Sequence, residues 1–360
     1  MARELQSLGE QPRVESGGVS WSGDARSLMR ANLWLRTASR VIVRVASFRA
    51  TAFFELEKQA KKIPWSDFLG DDVTPEFRVT ARKSKLYHSD AIAERLAKAA
   101  LGARLSAKTD SRERKAESQL FIVRVERDQF TISADSSGEL LHMRGYRQAT
   151  GKAPLRETLG AALLWAANWN GDRPLIDPFC GSGTIPIEGA MMARRIAPGR
   201  NRSFAFQSWR SFDTSAWAEL VRNAKSGELA ASPVSIAGYD RDAGAIESAR
   251  ANAERAGVDA DVEFAKQAVS ALNPTTADGL VATNPPYGIR IGADVRNLYA
   301  QLGKTLRAKC RGWHLAFYTN DPRLAQQTGL SPEELFRTTN GGIKVAAYAA
   351  EAGTFLEHRR

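Results

Sequence analysis

The chain has 360 residues, 43% apolar and 25% charged, enough ordinary globular material for two or three domains with cores of their own. No apolar run approaches the roughly 18 residues that span a bilayer and the start, Met1-Ala-Arg-Glu-Leu5, has no leader-like hydrophobic stretch, so the expected location is the cytoplasm. Two cysteines, Cys180 and Cys310, are too few for a disulfide framework and too far apart for a zinc site, while a net charge of +11 favours a polyanionic partner.

The charge is uneven. Residues 1–150 carry 26 basic and 19 acidic side chains, the remainder 25 and 21. Leu28, Ala31, Leu35 and Ala38 recur at helical spacing and predict a helix over 25–37, followed by a strand at 41–45; residues 1–50 form a small α+β unit. Residues 51–134 form a second unit: helix 53–62, strand 76–80, helix 90–101 and strands 120–125 and 129–133. Between its first strand and second helix runs Arg82-Lys83-Ser84-Lys85-Leu86-Tyr87-His88, which mixes cationic and aromatic groups suited to phosphates and unpaired bases, although a solvated strand end has the same composition. A polar link, 135–152, contains Asp135-Ser-Ser-Gly138, Arg144 and Arg147.

From 153 to 360 strand and helix alternate: helix 155–168, strand 174–177, helix 183–195, an irregular insert 198–212, helix 213–225, strand 235–239, helix 242–256 and strand 261–264. Strand 279–283, helix 294–308, strand 313–318 and helix 321–328 follow, and Asn340-Gly341 turns a closing hairpin of 334–338 with 343–350. Such alternation predicts an α/β, Rossmann-like, mostly parallel sheet.

Two motifs sit where apolar strands end and loops begin, which is where open α/β sheets bind ligands. In Asp177-Pro178-Phe-Cys-Gly181-Ser-Gly183-Thr184 the glycines permit a sharp turn and a close approach to a bulky ligand, with Thr184 opening a helix. A dinucleotide-binding dehydrogenase is the natural rival. Its third glycine position is Pro186 here, and the next strand-end acidic residue, Asp240, lies 63 residues beyond Asp177, against about 20 in the dinucleotide fingerprint. Asp240 is placed to bind ribose hydroxyls, with Arg241 beside the adenine; the alternative is an N-cap for the following helix. Asp177 faces the amino group of a methionine moiety, and Gln267 stands where an adenine-reading side chain is expected.

The second motif is Asn284-Pro285-Pro286-Tyr287. An aromatic exocyclic amine is a poor nucleophile because its lone pair is delocalised. The Asn284 amide oxygen and the Pro285 carbonyl can accept its two hydrogens and localise that pair, consecutive prolines hold the loop rigid, and Tyr287 offers a flat face to an extruded base. Read alone, the same four residues make a proline-rich turn. Together the motifs indicate an S-adenosylmethionine enzyme that methylates an exocyclic nitrogen and needs no metal.

The chain resembles bacterial THUMP-domain RNA guanine-N2 methyltransferases, being similar to the N-terminal half of the bifunctional large-subunit ribosomal RNA methylase and to its stand-alone relatives. The resemblance covers nearly the whole chain and is carried by Ala31-Asn-Leu-Trp-Leu-Arg-Thr-Ala-Ser-Arg40, Ser84-Lys-Leu-Tyr87, Asp135 to Gly138, Arg144-Gly-Tyr-Arg147, Ala153-Pro-Leu-Arg-Glu-Thr158, both motifs above and Asn340-Gly341. It implies a ferredoxin-like unit lacking its first strand (1–50), a THUMP RNA-binding domain (51–134), a linker (135–152) and a class I methyltransferase domain (153–360) closed by a β-hairpin. It also implies S-adenosylmethionine as cofactor, held by Leu155, Glu157, Asp177, Pro178, Gly181, Gly183, Thr184, Asp240, Arg241, Gln267 and Asn284, with chemistry at Asn284 to Tyr287. Gln267 replaces an acidic residue common in the family. The expected partner of a monomeric enzyme is RNA, ribosomal before transfer RNA, met by Arg82, Lys83, Lys85, Tyr87, Arg144, Arg147 and Arg290. Methylation of DNA adenine or protein glutamine, and a lapsed assembly factor, are the competing readings.

Overall fold

The computed structural model describes residues 1–70, 73–102, 118–147, 155–287 and 294–352. These fall into two compact units, Met1–Leu141 with Arg202–Arg222, and His142–Asn201 with Asn223 onward.

In the first unit, α1 (Ala2–Ser7) and a short hairpin of β1 (Arg13–Glu15) and β2 (Gly18–Ser20) lead to α2 (Ala25–Trp34), capped by Asp24, which accepts the Ser27 N–H at 2.8 Å. Glu4, 4% exposed, fastens α1 to the end of α2 by accepting the Arg36 N–H at 2.7 Å and the Thr37 N–H at 3.3 Å. Next come β3 (Ile42–Arg49), α3 (Phe53–Ala60), β4 (Thr74–Arg82), α4 (Ser89–Gly102), β5 (Ser118–Glu126) and β6 (Gln129–Asp135). These strands make one sheet in the order β3-β6-β5-β4, antiparallel except for the parallel pair β4 and β5. The strand read as closing the first 50 residues therefore belongs to this sheet: β3 pairs with β6 from Ile42 opposite Asp135 to Arg49 opposite Gln129. Its alternate residues Phe121, Val123, Val125, Phe130, Ile132 and Ala134 form one buried face with Leu56 of α3 and Ile92 and Leu96 of α4.

Two expectations change here. Asp135, Ser136 and Ser137, read as a polar link, are 0% exposed. They form a hydrogen-bonded hub: Asn32 donates to Ser136 Oγ at 2.9 Å, Ser137 Oγ donates to Asn32 Oδ1 at 2.8 Å, and Arg40 pairs with Asp135. Buried polar groups are tolerated only when satisfied in this way. Residues 202–222, which include most of the insert read at 198–212 and the start of the following helix, also pack in this unit. Phe204, Phe206 and Trp209 join its core, and Trp209 Nε1 donates to Gln119 Oε1 at 2.7 Å.

Further along the chain lie α5 (Glu157–Ala166), β7 (Leu175–Asp177), α6 (Thr184–Ala193), α7 (Thr214–Ser226), β8 (Ile236–Asp240), α8 (Ala243–Ala256), β9 (Val262–Lys266) and β10 (Gly279–Thr283). They are followed by α9 (Asp294–Lys309), β11 (Trp313–Thr319), α10 (Pro322–Gln327), β12 (Glu333–Asn340) and β13 (Ile343–Glu351). The sheet of the second unit has the order β12-β13-β11-β10-β7-β8-β9, parallel from β7 to β11, with β13 inserted antiparallel between β11 and β12. The predicted hairpin is thus present, Asn340 lying opposite Ile343. Successive residues face opposite sides: Leu175, Leu280, Ala282 and Ala316 pack with α5, α6 and α8, whereas Ile176, Val281, Leu315 and Phe317 pack with α9 and α10. Coverage on both faces explains why β7 and β10 are buried throughout. The order reverses between β7 and β10, and that junction positions the site.

Candidate active site

Strand ends converge at the reversal. β7 delivers Asp177, β8 Asp240 and β10 Asn284 just beyond its last residue, while the hairpin turn brings Asn340 and Ile343 to the same cleft of about 700 Å³. The two sequence motifs are joined directly: Thr283 Oγ1 donates to Asp177 Oδ1 at 2.5 Å.

Gly181 has φ +50° and a Cβ there would project into open space, so the backbone itself forms the cleft floor. Gly183, at φ +85°, serves packing instead: a Cβ would stand 3.0 Å from Ala249 and from Phe264, holding α6 away from α8 and β9.

The N-cap alternative for Asp240 fails. Asp242 caps α8 by accepting the Gly244 N–H at 2.8 Å. The Asp240 carboxylate accepts the N–H groups of Gly181 and Asp242, each at 3.0 Å, so it spans β8 and the glycine loop at the cleft wall. Asp177 is 2% exposed, and burial raises its carboxyl to about 7, opposed by hydrogen bonds from Thr283 and the Phe179 N–H and reinforced by the Asp240 charge. Burial likewise holds the Cys180 thiol well above its ordinary range, which rules it out as a nucleophile near neutrality.

Across the cleft, Pro285 is buried and Pro286 exposed. The Asn284 amide oxygen is buried with no partner among the described residues. Tyr287 packs against both cores of the unit, and its hydroxyl receives Asn340 Nδ2 at 3.2 Å, with the Asn284 amide also facing it. Burial raises the Tyr287 phenol, which stays neutral.

Of the expected cofactor residues, Leu155, Asp177, Gly181, Thr184, Asp240, Arg241 and Asn284 line this cleft; Glu157, Pro178, Gly183 and Gln267 do not. Gln267 follows β9, its N–H donating to the Asp240 carbonyl at 2.9 Å. Glu157 is 3% exposed and pairs with Arg147 at 3.5 Å; burial raises its carboxyl. Sequence reading missed Phe179, Asp242, Ser248 and Asn340; the Asn-Gly turn was the available signal for the last.

Arg144 and Arg147 do not form an RNA clamp. Arg144 is 4% exposed and meets the wholly buried Glu188 at 3.4 Å, and Arg147 donates to the Leu155 carbonyl at 2.9 Å and to Thr184. A guanidinium committed to buried carboxylates and carbonyls is not available to phosphates. They brace the segment before α5 against α6. Arg82, Lys83, Lys85, Tyr87 and His88 are by contrast exposed, Tyr87 by 64%. Their loop is fixed to the β5–β6 turn, the Lys85 N–H reaching Asp128 Oδ1 at 2.7 Å and the Asp128 N–H reaching Ser84 Oγ at 3.0 Å. That turn adds the exposed Arg127, which the sequence did not single out. Arg290 lies outside the described residues. Among those residues no cluster of three or more His, Cys, Asp or Glu forms a metal site, and no helix is long and apolar enough to cross a membrane.

Residues 144–348 match the family model described as RMKL-like, methyltransferase domain, and residues 1–42 match the RlmL ferredoxin-like domain. A Synechocystis protein, slr0064, provisionally named an RNA methyltransferase, is 34% identical over 95% of this chain and 91% of its own length. The ribosomal RNA large subunit methyltransferase K/L of Syntrophotalea carbinolica is 36% identical over 96% of this chain, which spans about half (50%) of that relative. The crystal structure of SMU.472, provisionally named a methyltransferase and complexed with SAH, superposes with a TM-score of 0.88 at 30% identity, covering 99% of this chain and 95% of that one. The Gly181 floor and the acidic strand ends fit the product bound there, S-adenosylhomocysteine, and so the cofactor S-adenosylmethionine.

Proposed function

Since the chain belongs to the RMKL-like methyltransferase family, we propose that it methylates the exocyclic 2-amino group of a guanosine in RNA, the favoured substrate being large-subunit ribosomal RNA. The observation that carries this reading is the Asn284 amide oxygen, buried beside Pro285 at the end of β10 and without a partner among the described residues. A buried amide acceptor without a partner costs about 1–3 kcal/mol, which a ligand donor recovers.

S-adenosylmethionine supplies an electrophilic sulfonium methyl. Asp240 is suited to ribose hydroxyls, and Asp177 to a cationic amino group, which favours its ionised form. Leu155, Thr184 and Arg241 complete the wall around the glycine loop. The Asn284 oxygen and the Pro285 carbonyl accept the two amine hydrogens, and the nitrogen lone pair then points away from them. Asn284 is an acceptor and not a base; once alkylated, the nitrogen sheds its extra proton to water. Tyr287, held by two amides, gives the base a fixed face.

RNA as the polymer is supported by the relatives' names and by the rim Arg82, Lys83, Lys85, Tyr87 and Arg127 on the four-stranded sheet, which we read as the THUMP surface. Replacing Lys83 and Lys85 together with alanine should weaken RNA binding and flatten the slope of log K against log salt by about 0.7–0.9 per lysine. An unchanged slope removes them from the interface.

Asp177 links binding to protons. Its carboxyl, raised to about 7, is protonated near pH 6 in the free protein. In that state the folded protein holds a proton the unfolded chain has lost, so this group's contribution to stability falls as pH rises from about 4 to 7. Binding of S-adenosylhomocysteine should release close to one proton near pH 6 and almost none near pH 8. Calorimetry in buffers of different ionisation enthalpy reads the release; equal heats at pH 6 remove Asp177 from the amino-group site.

The substrate is tested by transfer of labelled methyl to separated, unmodified ribosomal and transfer RNA pools. Label in large-subunit RNA is expected; label confined to transfer RNA contradicts that assignment.

A further inference from the structure

Among the cleft residues outside both sequence motifs, one amide stands beside Asn284 and Tyr287. Asn340 ends β12 at the hairpin turn, lines the cleft beside Asn284 and Tyr287, and is only 6% exposed. Its two amide atoms are in different states. Nδ2 donates to the Tyr287 hydroxyl at 3.2 Å, which orients the group, whereas Oδ1 is buried and has no partner among the described residues. The Asn284 oxygen is in the same condition, and both amides face the same hydroxyl. Asn284, Pro285 and Asn340 all line the cleft, and the first and last each carry a buried amide oxygen with no partner among the described residues.

We propose that Asn340 is a base-reading residue whose Oδ1 accepts the ring N1–H of the target guanine. This deepens, and rests on, the guanosine reading above. The argument is one of matching edges. Guanine presents N1–H next to the two hydrogens of its 2-amino group, three donors in a row. Asn284 and Pro285 take the amine hydrogens and leave N1–H needing an acceptor. Adenine also carries an exocyclic amine, but its N1 is a lone pair and would face the Asn340 oxygen with like polarity. The same methylating loop therefore gains discrimination from a residue over 50 positions downstream, Asn340 against Asn284. Tyr287 has two roles, as a face for the base and as the post that aims both amides.

The test compares an RNA oligonucleotide carrying the methylated guanosine with one carrying 2-aminopurine there, which keeps the 2-amino group but has no N1–H. The unaltered enzyme should favour guanine in kcat/KM by about ten- to a hundredfold, the factor expected when a buried acceptor loses its donor. Asn340→Ala should lower turnover on both and bring the ratio close to one. Asn340→Asp, which keeps the acceptor, should retain the preference even where turnover falls, whereas Tyr287→Phe, which removes the hydroxyl that aims the amide, should weaken it. The same ratios are read by competition binding with S-adenosylhomocysteine present, so a variant too slow to turn over still reports. A guanine preference in Asn340→Ala equal to that of the unaltered enzyme overturns the inference, as does equal use of both bases by the unaltered enzyme. A protein that methylates no guanosine overturns the functional reading itself, which is a separable result.

Discussion

Asn284→Ala should lower turnover by about two to three orders of magnitude while leaving affinity for RNA and for S-adenosylhomocysteine close to unchanged. The expectation follows from where the side chain stands. Its oxygen is buried and satisfied by nothing in the described protein, so truncation breaks no hydrogen bond made by that atom within the fold. What disappears is an acceptor for an amine hydrogen, needed most when the nitrogen becomes pyramidal, and one of the two amides at the Tyr287 hydroxyl, which Asn340 still holds. An interaction that strengthens toward the transition state appears in kcat and not in binding. Single-turnover assays with separate binding measurements check it. A parallel loss of RNA affinity makes Asn284 a structural residue of the loop.

Arg144→Ala should destabilise the protein by about 3–5 kcal/mol, because it removes the guanidinium that meets the wholly buried Glu188 carboxylate at 3.4 Å. Arg144 sits in the segment before α5 and Glu188 within α6, the helix that begins at the glycine loop, so the loss should also loosen that loop. Thermal unfolding monitored beside Lys83→Ala, a surface control, reads the difference: a large fall in Tm for the first and almost none for the second. An unchanged Tm combined with weakened RNA binding would restore Arg144 to the RNA surface.

The periodic elements were legible because their signals are local. β10 is a five-residue apolar run closed by Asn284-Pro285, and α8 has both a capping aspartate and a terminal glycine with φ +70°. The hairpin announced itself by Asn340-Gly341. What sequence could not show was which polar residues face inward. Asp135-Ser-Ser reads as a solvated turn because nothing local reveals that Asn32, Arg40 and Val41 supply its partners. Arg144 and Arg147 look like an RNA-binding pair for the same reason, their carboxylates lying 44 and 10 residues away.

The expected boundary at 50 falls between β3 and its sheet partner because the pairing is long-range: residues of β6 opposite β3 lie 80 to 93 positions later. The insert carried a usable sign. Phe204, Phe206, Trp209 and Phe212 are too aromatic for a solvated loop, and these rings pack on one another, on Trp217 of α7 or on Phe68. In the site, the strand-end residues Asp177, Asp240 and Asn284 were found because strand ends are predictable. Glu157 and Gln267 are assigned by the resemblance alone, and neither is among the residues that line the cleft.

The most direct test of the chemistry is nucleoside mass spectrometry of RNA methylated by the purified protein with labelled S-adenosylmethionine. N2-methylguanosine carrying the label, absent from the Asn284→Ala reaction, is the predicted result. Label in N6-methyladenosine would contradict it, and with it the acceptor geometry assigned to Asn284, Pro285 and Asn340.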